Sequence, residues 1–112
     1  MYHRFEENKY PSTNIKIADF IKHLNLIKKR QFRFVNPTNF ENDLLNKEKE
    51  RKILLTIDDG FQSFYEQAWP ILKKEKIPFI LFVNTREVGT RGYMNWSQIK
   101  EVSKEKFAHI GN

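Results

Sequence analysis

The sequence predicts an α/β fold with a parallel sheet, and three observations support this prediction. Short runs rich in apolar and β-branched residues lie at residues 53–57, 77–83 and 107–110. Segments with helical period lie between these runs. The run at 53–57 is nearly continuous in apolar character, which is typical of a strand covered on both faces. Strands that alternate with helices indicate βα units, and right-handed crossovers would place the helices outside if the sheet curls into a barrel.

The first half of the chain contains one clear helix. Its apolar residues recur at three- and four-residue spacing and form one stripe: Ile17, Phe20, Ile21, Leu24 and Ile27. Residues 1–5 have the character of the end of a strand, and residues 6–14 form a polar loop. Residues 32–35 alternate apolar and basic side chains and predict a short strand. A brief helix over 40–45 and a charged turn over 46–51 follow.

The second half repeats the alternation of strand and helix. After the central strand at 53–57, a helix is predicted over 62–74, and Pro70 inside it should produce a kink or a local 3₁₀ turn. A buried strand at 77–83 leads into a loop over 84–93. A helix over 96–103 has Trp96, Ile99 and Val102 on its predicted buried side, and a last strand begins at Phe107.

Composition limits the classes of protein that the chain can represent. Its 112 residues suit one small domain, and a net charge of +6 can attract an acidic polymer, although dispersed lysines are also typical of a solvated exterior. The absence of cysteine excludes disulfides, thiolate metal sites and a cysteine nucleophile. No apolar run approaches the roughly 18 residues of a membrane span, and the N-terminal residues do not resemble a signal peptide.

Two adjacent carboxylates follow the central strand. Asp58 and Asp59 precede Gly60, at the point where the strand gives way to a helix. Ligands of parallel α/β folds bind at the carboxyl ends of the strands. Two like charges at this spacing repel, and a divalent metal on one of them would leave the other free to act as a base. An ordinary turn with a helix N-cap is the alternative interpretation of the same residues.

Several motifs resemble one family of enzymes. Residues 56–61, TIDDGF, are similar to the first motif, T-F-D-D-G-[FY], of polysaccharide deacetylases with NodB homology, carbohydrate esterase family 4. Further segments resemble that family in the same order along the chain: YHRF at 2–5, YPSTN at 10–14, AWPILK at 68–73, IPFILFV at 77–83, MNWSQIKE at 94–101 and IGN at 110–112. The order of these matches makes chance agreement improbable.

The resemblance implies a fold and a chemistry. The fold would be a partial (β/α) barrel of the polysaccharide deacetylase type, with about four parallel strands and outer helices. The activity would be metal-dependent hydrolysis that removes N- or O-acetyl groups from a polysaccharide. Asp58 would be the general base that activates water. Asp59 would bind a divalent metal, usually zinc, which polarises the acetyl carbonyl. Relatives usually act on envelope or secreted glycans, so an extracytoplasmic setting is expected.

The resemblance also implies that part of the catalytic site is missing. The two other metal ligands of the family are the histidines of an H-[ST]-x-x-H motif that would follow Asn112. We therefore expect residues 1–112 to be the N-terminal part of a single catalytic domain and to be inactive alone. His109 is expected to be a strand or surface histidine and not a replacement ligand. His3, at the end of the first strand, is a candidate substrate contact, with a packing role as the alternative.

Two other functions remain open from the sequence. The chain could be a non-catalytic module that binds a polyanion or a carbohydrate through its aromatic and basic residues, but it carries no recognisable nucleic-acid-binding signature. It could also be a glycosidase with Asp58 and Asp59 as acid and base. Adjacent residues are poorly suited to the separation of roughly 5–9 Å that glycosidases require. The oligomeric state is not predicted.

Overall fold

The computed structural model describes residues 1–46 and 50–112 and has an α/β fold in which every pairing between named strands is parallel. The strands are β1 (Arg4–Phe5), β2 (Asn14–Ile15), β3 (Arg33–Phe34), β4 (Lys52–Ile53), β5 (Thr56–Asp59), β6 (Phe79–Val83) and β7 (Ala108–Gly111). The α-helices are α1 (Ile17–Lys29), α2 (Phe40–Leu45), α3 (Trp69–Glu75) and α4 (Trp96–Ser103). The charged turn predicted over 46–51 includes residues 47–49, which lie outside the described residues.

The centre of the fold is a three-stranded sheet in the order β5–β6–β7. Tyr2 extends it on the β5 side, because its N–H donates to the Thr56 carbonyl at 3.0 Å and its carbonyl accepts from the Asp58 N–H at 2.8 Å. Two further pairs, β1–β2 and β3–β4, complete the pattern. The α/β class with parallel strands is therefore confirmed. The sheets have two, two and three strands, so the predicted partial barrel of about four strands stays a prediction.

One strand prediction was wrong, and one short strand was missed. The run at 53–57 is not one strand, because β4 pairs with β3 whereas β5 pairs with β6. The chain changes partners at Leu54 and Leu55, which a continuous apolar run does not reveal. The predicted polar loop over 6–14 ends in β2, which pairs with β1. A strand of two residues is too short for a period-two pattern to identify it.

One face of the central sheet is covered by helices and forms the core. Ile57, Phe79 and Leu81 are completely buried on this face. Residues from the helical segments pack against them in the same cluster: Phe20, Leu24, Phe64, Ala68, Trp69, Leu72, Ile99 and Val102. Full burial of one such large apolar side chain contributes about 1.5–3 kcal/mol, so this face accounts for much of the stability of the sheet.

Pro70 interrupts the regular helix, as predicted, but a 3₁₀ turn is not what forms there. Residues Phe64–Ala68 form a π-helix immediately before α3, and the Trp69 N–H donates to the Phe64 carbonyl, five residues earlier. Proline has no N–H to donate to the residue four positions before it, so the regular ladder is broken at this point. A π turn replaces the predicted 3₁₀ turn, and α3 begins at Trp69 with proline in its first turn.

The helix over 96–103 is confirmed, but Trp96 is not on its buried side. A capping box between Asn95 and Gln98 fixes the start of α4, with both hydrogen bonds at 2.9 Å. Ile99 and Val102 are buried, whereas Trp96 is 59% exposed because it is the first residue of the helix and lies outside the packed stripe. Within the described residues, no helix combines the length and apolar character needed to cross a bilayer.

Candidate active site

The two carboxylates lie where the sequence places them, at the carboxyl end of β5. Asp59 has φ of +74° and Gly60 has φ of +72°, so both adopt the left-handed region. This conformation is uncommon for a residue with a side chain, although aspartate adopts it more readily than most. It interrupts the alternation of side chains along the strand, and both Asp58 and Asp59 line the same depression. Left-handed backbone of this kind is frequent at functional sites.

The depression has a volume of about 200 Å³ and lies at the carboxyl edge of the three central strands. Its other lining residues are Phe82, Val83, Asn84 and Asn112. The two asparagines were not predicted as site residues. Each of them directly follows a strand, since Asn84 comes after β6 and Asn112 comes after β7. The rule that ligands bind at the carboxyl ends of parallel strands could have identified them.

Asp58 has an unusual environment. Its Oδ1 atom is buried and has no hydrogen-bond partner among the described residues. Its Oδ2 atom is 3.8 Å from Nε2 of His3, and the two side chains are 26% and 25% exposed. The backbone bonds of Tyr2 to β5 bring His3 beside Asp58. A buried carboxylate oxygen without a donor is costly, so this position is poorly explained by stability alone.

The remaining histidines do not join the carboxylates. His109 lies within β7 opposite Ile80 and does not line the depression, in agreement with its expected role as a strand residue. His23 on α1 is within 2.7 Å of the Tyr2 hydroxyl through its Nδ1 atom. In residues 1–46 and 50–112, no three His, Asp or Glu side chains are grouped so that they could hold a metal ion.

The fold and the site define a class of protein. A parallel α/β arrangement that presents adjacent carboxylates at the carboxyl edge of its strands is typical of α/β enzymes, whose reactive groups lie at this edge. The Asp58 side chain is about a quarter exposed and has an unpaired buried oxygen, and its neighbour Asp59 has left-handed backbone. Such a pair can bind a cation, accept a proton, or divide these two tasks.

Comparison with known families identifies the class more narrowly. The family model for polysaccharide deacetylase matches residues 45–112, which is more than half of the chain. The chain therefore belongs to the polysaccharide deacetylase family, whose members are hydrolases. Among its relatives, YxkH of Bacillus subtilis (strain 168) is 24% identical over 106 residues. The poly-β-1,6-N-acetyl-D-glucosamine N-deacetylase of Staphylococcus aureus (strain MSSA476) is 39% identical over 59 residues, which are 52% of this chain.

Solved structures agree with the family. IcaB from Ammonifex degensii superposes with a TM-score of 0.86 and 32% identity over 98% of this chain. The deacetylase PplD from Streptococcus pyogenes, solved in complex with acetate, has the same fold, with a TM-score of 0.80 at 24% identity. The chain spans 49% of that IcaB chain, 37% of YxkH and 20% of the staphylococcal enzyme.

Proposed function

We propose that the protein is a metal-dependent hydrolase that removes acetyl groups from a polysaccharide. The observation that carries the proposal is the shared depression, in which Asp58 and Asp59 meet at the carboxyl edge of the sheet. Membership of the polysaccharide deacetylase family supports the reaction class. The name of the staphylococcal relative, an N-deacetylase of poly-β-1,6-N-acetyl-D-glucosamine, supports an amide-linked acetyl group on a hexosamine polymer as substrate.

In this proposal the two carboxylates have different catalytic roles. Asp58 is the general base, because its side chain lines the depression and is 26% exposed, while its Oδ1 atom lacks a hydrogen-bond donor in the described structure. A base of this kind must lie within hydrogen-bond reach of the proton that it removes. Asp59 is the metal ligand, since its left-handed backbone allows it to line the same depression as Asp58.

Asp59 would supply one of the ligands that a metal site needs. Carboxylate oxygen is a suitable ligand for zinc, and the Asp59 carboxylate would hold the ion beside Asp58. A catalytic zinc site has about three protein ligands, and the described residues offer no group of three. When bound, the ion would polarise the acetyl carbonyl and stabilise the negative charge that develops on its oxygen. We therefore expect the 112-residue chain to be inactive by itself.

His3 is proposed as a substrate contact. Its ring lies beside Asp58 and remains a quarter exposed, but it lines a separate depression with Thr13 and Asn14, so the contact would be with a neighbouring part of the polymer. Residues 1–112 are further proposed to be the N-terminal part of one catalytic domain with a partial (β/α) barrel. The bridge from Tyr2 to Ile57 supports this arrangement, because it aligns a fourth parallel segment with the central sheet. The expected polymer substrate also favours an extracytoplasmic setting.

Acetate release from an acetylated hexosamine polymer by the whole protein tests the proposal. Asp58→Asn and Asp59→Asn should each lower the rate at least about a thousandfold, because each removes one half of the catalytic pair. Asp19→Asn, on α1 and outside the depression, is the matched control, since the Asp19 side chain is 49% exposed, and it should keep the rate of the unmodified protein. Retention of activity in either site variant would overturn the assignment. Polymer binding without acetate release would instead favour the non-catalytic binding module.

A further inference from the structure

A second and larger cavity adjoins the carboxylate pair. It has a volume of about 420 Å³ and begins at Phe61, two residues after Asp59. The loop that forms its far wall is tied to the end of β5, because the Met94 N–H donates to the Gly60 carbonyl and the Gln62 N–H donates to the Gly92 carbonyl, each at 2.9 Å. The cavity therefore lies at the same edge of the fold as the candidate active site.

An arginine is clamped between aromatic rings at the base of this cavity. The Arg4 guanidinium carbon lies 3.8 Å from the centre of the Phe61 ring and 4.2 Å from the centre of the Tyr10 ring. The Phe61 ring packs in turn on Tyr93, with centroids 4.8 Å apart. Rings on both faces restrict the guanidinium to one plane and leave only its in-plane N–H groups for other partners.

Most of these in-plane donors remain unused. Nη1 of Arg4 donates to Oγ1 of Thr13 at 2.7 Å, which is the one hydrogen bond of this side chain among the described residues. Its Nε atom is buried without a hydrogen-bond partner there, since the nearest carboxylate oxygen, on Glu7, is 3.8 Å away. That Glu7 oxygen accepts a hydrogen bond of 2.6 Å from Ser63. A rigid guanidinium with unused donors is well suited to bind an oxyanion.

The rest of the lining has the same character. Lys9 and Arg91 are exposed at the rim, and with Arg4 they outnumber the single lining carboxylate, Glu7. Tyr93 contributes a hydroxyl group, and burial raises the pKa of that hydroxyl; the charges of Glu87 and Asp59 add to this effect, and the charge of Arg4 opposes it. Tyr93 therefore stays protonated near neutral pH and can donate a hydrogen bond. Its ring also offers an apolar surface to a sugar.

We infer that this cavity is a subsite for a sugar unit that carries an anionic group, either a carboxylate or a phosphate, next to the unit that loses its acetyl group. The position of the subsite beside the deacetylated unit rests on the proposed function. The preference for an anionic saccharide, in contrast, is a property of the cavity itself. It specifies the substrate class as an acetylated polysaccharide that contains acidic units.

Binding to the 112-residue chain with the Asp58→Asn substitution tests this inference without catalysis. Calorimetry at low salt would compare three probes. Hyaluronan tetrasaccharide supplies carboxylates beside N-acetylglucosamine, N-acetylglucosamine 6-phosphate supplies a phosphate, and chitotetraose is neutral. We expect at least one anionic probe to bind about tenfold more tightly than chitotetraose, which corresponds to two or three exposed charge contacts. The tighter of the two anionic probes identifies the source of the anion.

A matched pair of double variants separates this cavity from the general basic charge. Lys9→Gln with Arg91→Gln should weaken binding of the anionic probe about fivefold. Lys100→Gln with Lys104→Gln removes the same charge from exposed positions on and after α4 that do not line the cavity, and it should change binding less than about twofold. Tyr93→Phe removes one donor and should produce a smaller loss.

Two results of the binding experiment would overturn the inference. One is equal binding of chitotetraose and both anionic probes, and the other is an equal loss of binding in the two double variants. Failure of the proposed function would give a different result, because no acetate would be released by the whole protein while the preference for anionic probes persisted. A whole protein that deacetylates a neutral polymer regardless of Lys9 and Arg91 would refute the subsite and leave the proposed function in place.

Discussion

The two faces of the central sheet differ in burial and in polarity, although they are built from alternate residues of the same strands. On the helix-covered face, Ile57, Phe79 and Leu81 are completely buried. On the other face, Asp58 is opposite Phe82 in the register of β5 and β6, and Phe82 is 37% exposed. Along β6, residue parity therefore separates buried side chains from partly exposed ones, whereas Asp59, which shares the parity of Ile57, lines the depression because its left-handed backbone interrupts the alternation. The open face can hold an unsatisfied carboxylate because the covered face stabilises the sheet.

The largest expected effect comes from truncating one phenylalanine on each face of β6. Phe79→Ala removes a fully buried ring and should lower the free energy of unfolding by about 3–5 kcal/mol. Phe82→Ala, three residues along the same strand, should lower it by less than about 1.5 kcal/mol, because that ring is partly in water already. Urea unfolding curves measure both values. Equal losses would show that the two faces do not differ as described.

A second substitution tests how closely the open face is packed. A Cβ atom at Gly111 would lie 2.8 Å from Cδ1 of Phe82, closer than such contacts allow. Gly111→Ala should therefore lower the free energy of unfolding by about 1 kcal/mol, a modest loss because the partly exposed ring can shift. The Phe82→Ala background should remove this penalty, so the double-mutant cycle should show coupling. Additive losses would indicate that Phe82 does not lie over Gly111.

Substitution of Asp58 should raise the free energy of unfolding, whereas the substitutions above lower it. Its Oδ1 atom is buried without a hydrogen-bond donor among the described residues, and an unpaired buried acceptor is destabilising. Asp58→Asn should raise the free energy of unfolding by about 0.5–1 kcal/mol, as expected for a residue kept for activity. Asp19→Asn, on α1, serves as the control and should change it by less than about 0.5 kcal/mol, because the Asp19 side chain is half exposed and loses only a surface ion pair with Lys22. A clear loss of stability in Asp58→Asn would make the carboxylate a structural group.

The smallest expected effect on stability comes from an ion pair outside the central sheet. It provides a reference for the effects expected on the two faces of the sheet. The hydrogen bond from Arg33, 2.7 Å in length, lowers the pKa of Asp43 from its ordinary value of 3.8. A lowered pKa in the folded state contributes stability above the unfolded value and loses it as the pH falls through the folded value. The stability difference between the unmodified chain and Asp43→Asn should be constant down to about pH 4 and then shrink. Unfolding midpoints measured from neutral to acidic pH would show this, and a difference that grew on acidification would be inconsistent with it.

The sequence predicted the parts of the fold that carry a periodic signal. The helix α4 and the strand β6 were located closely, because capping residues and a long apolar run specify them locally. The switch of partners between β4 and β5 was missed, since pairing depends on residues far along the chain. The predicted burial of Trp96 was wrong, because helical periodicity identifies an apolar stripe but does not show whether the first residue of the helix is packed.

The sequence predicted the two carboxylates of the candidate site but not the asparagines that surround them. Asp58 and Asp59 were identified from their place after a strand, and the structure brings both into one depression. The proximity of His3 depends on the bridge between Tyr2 and Ile57, which links residues 55 positions apart. Asn84 carries no motif and Asn112 only ends the IGN segment, and both become neighbours of the carboxylates because they directly follow strands of the central sheet.

Metal affinity of the two aspartate variants tests the division of roles most directly. The experiment measures binding of Zn²⁺ to the whole protein at neutral pH, by calorimetry against a competing chelator. Asp59→Asn should weaken binding at least about a hundredfold, because it removes a ligand, whereas Asp58→Asn should stay within about threefold of the unmodified protein. Equal losses in the two variants, or a greater loss in Asp58→Asn, would contradict the assignment of one carboxylate to the cation and the other to the proton.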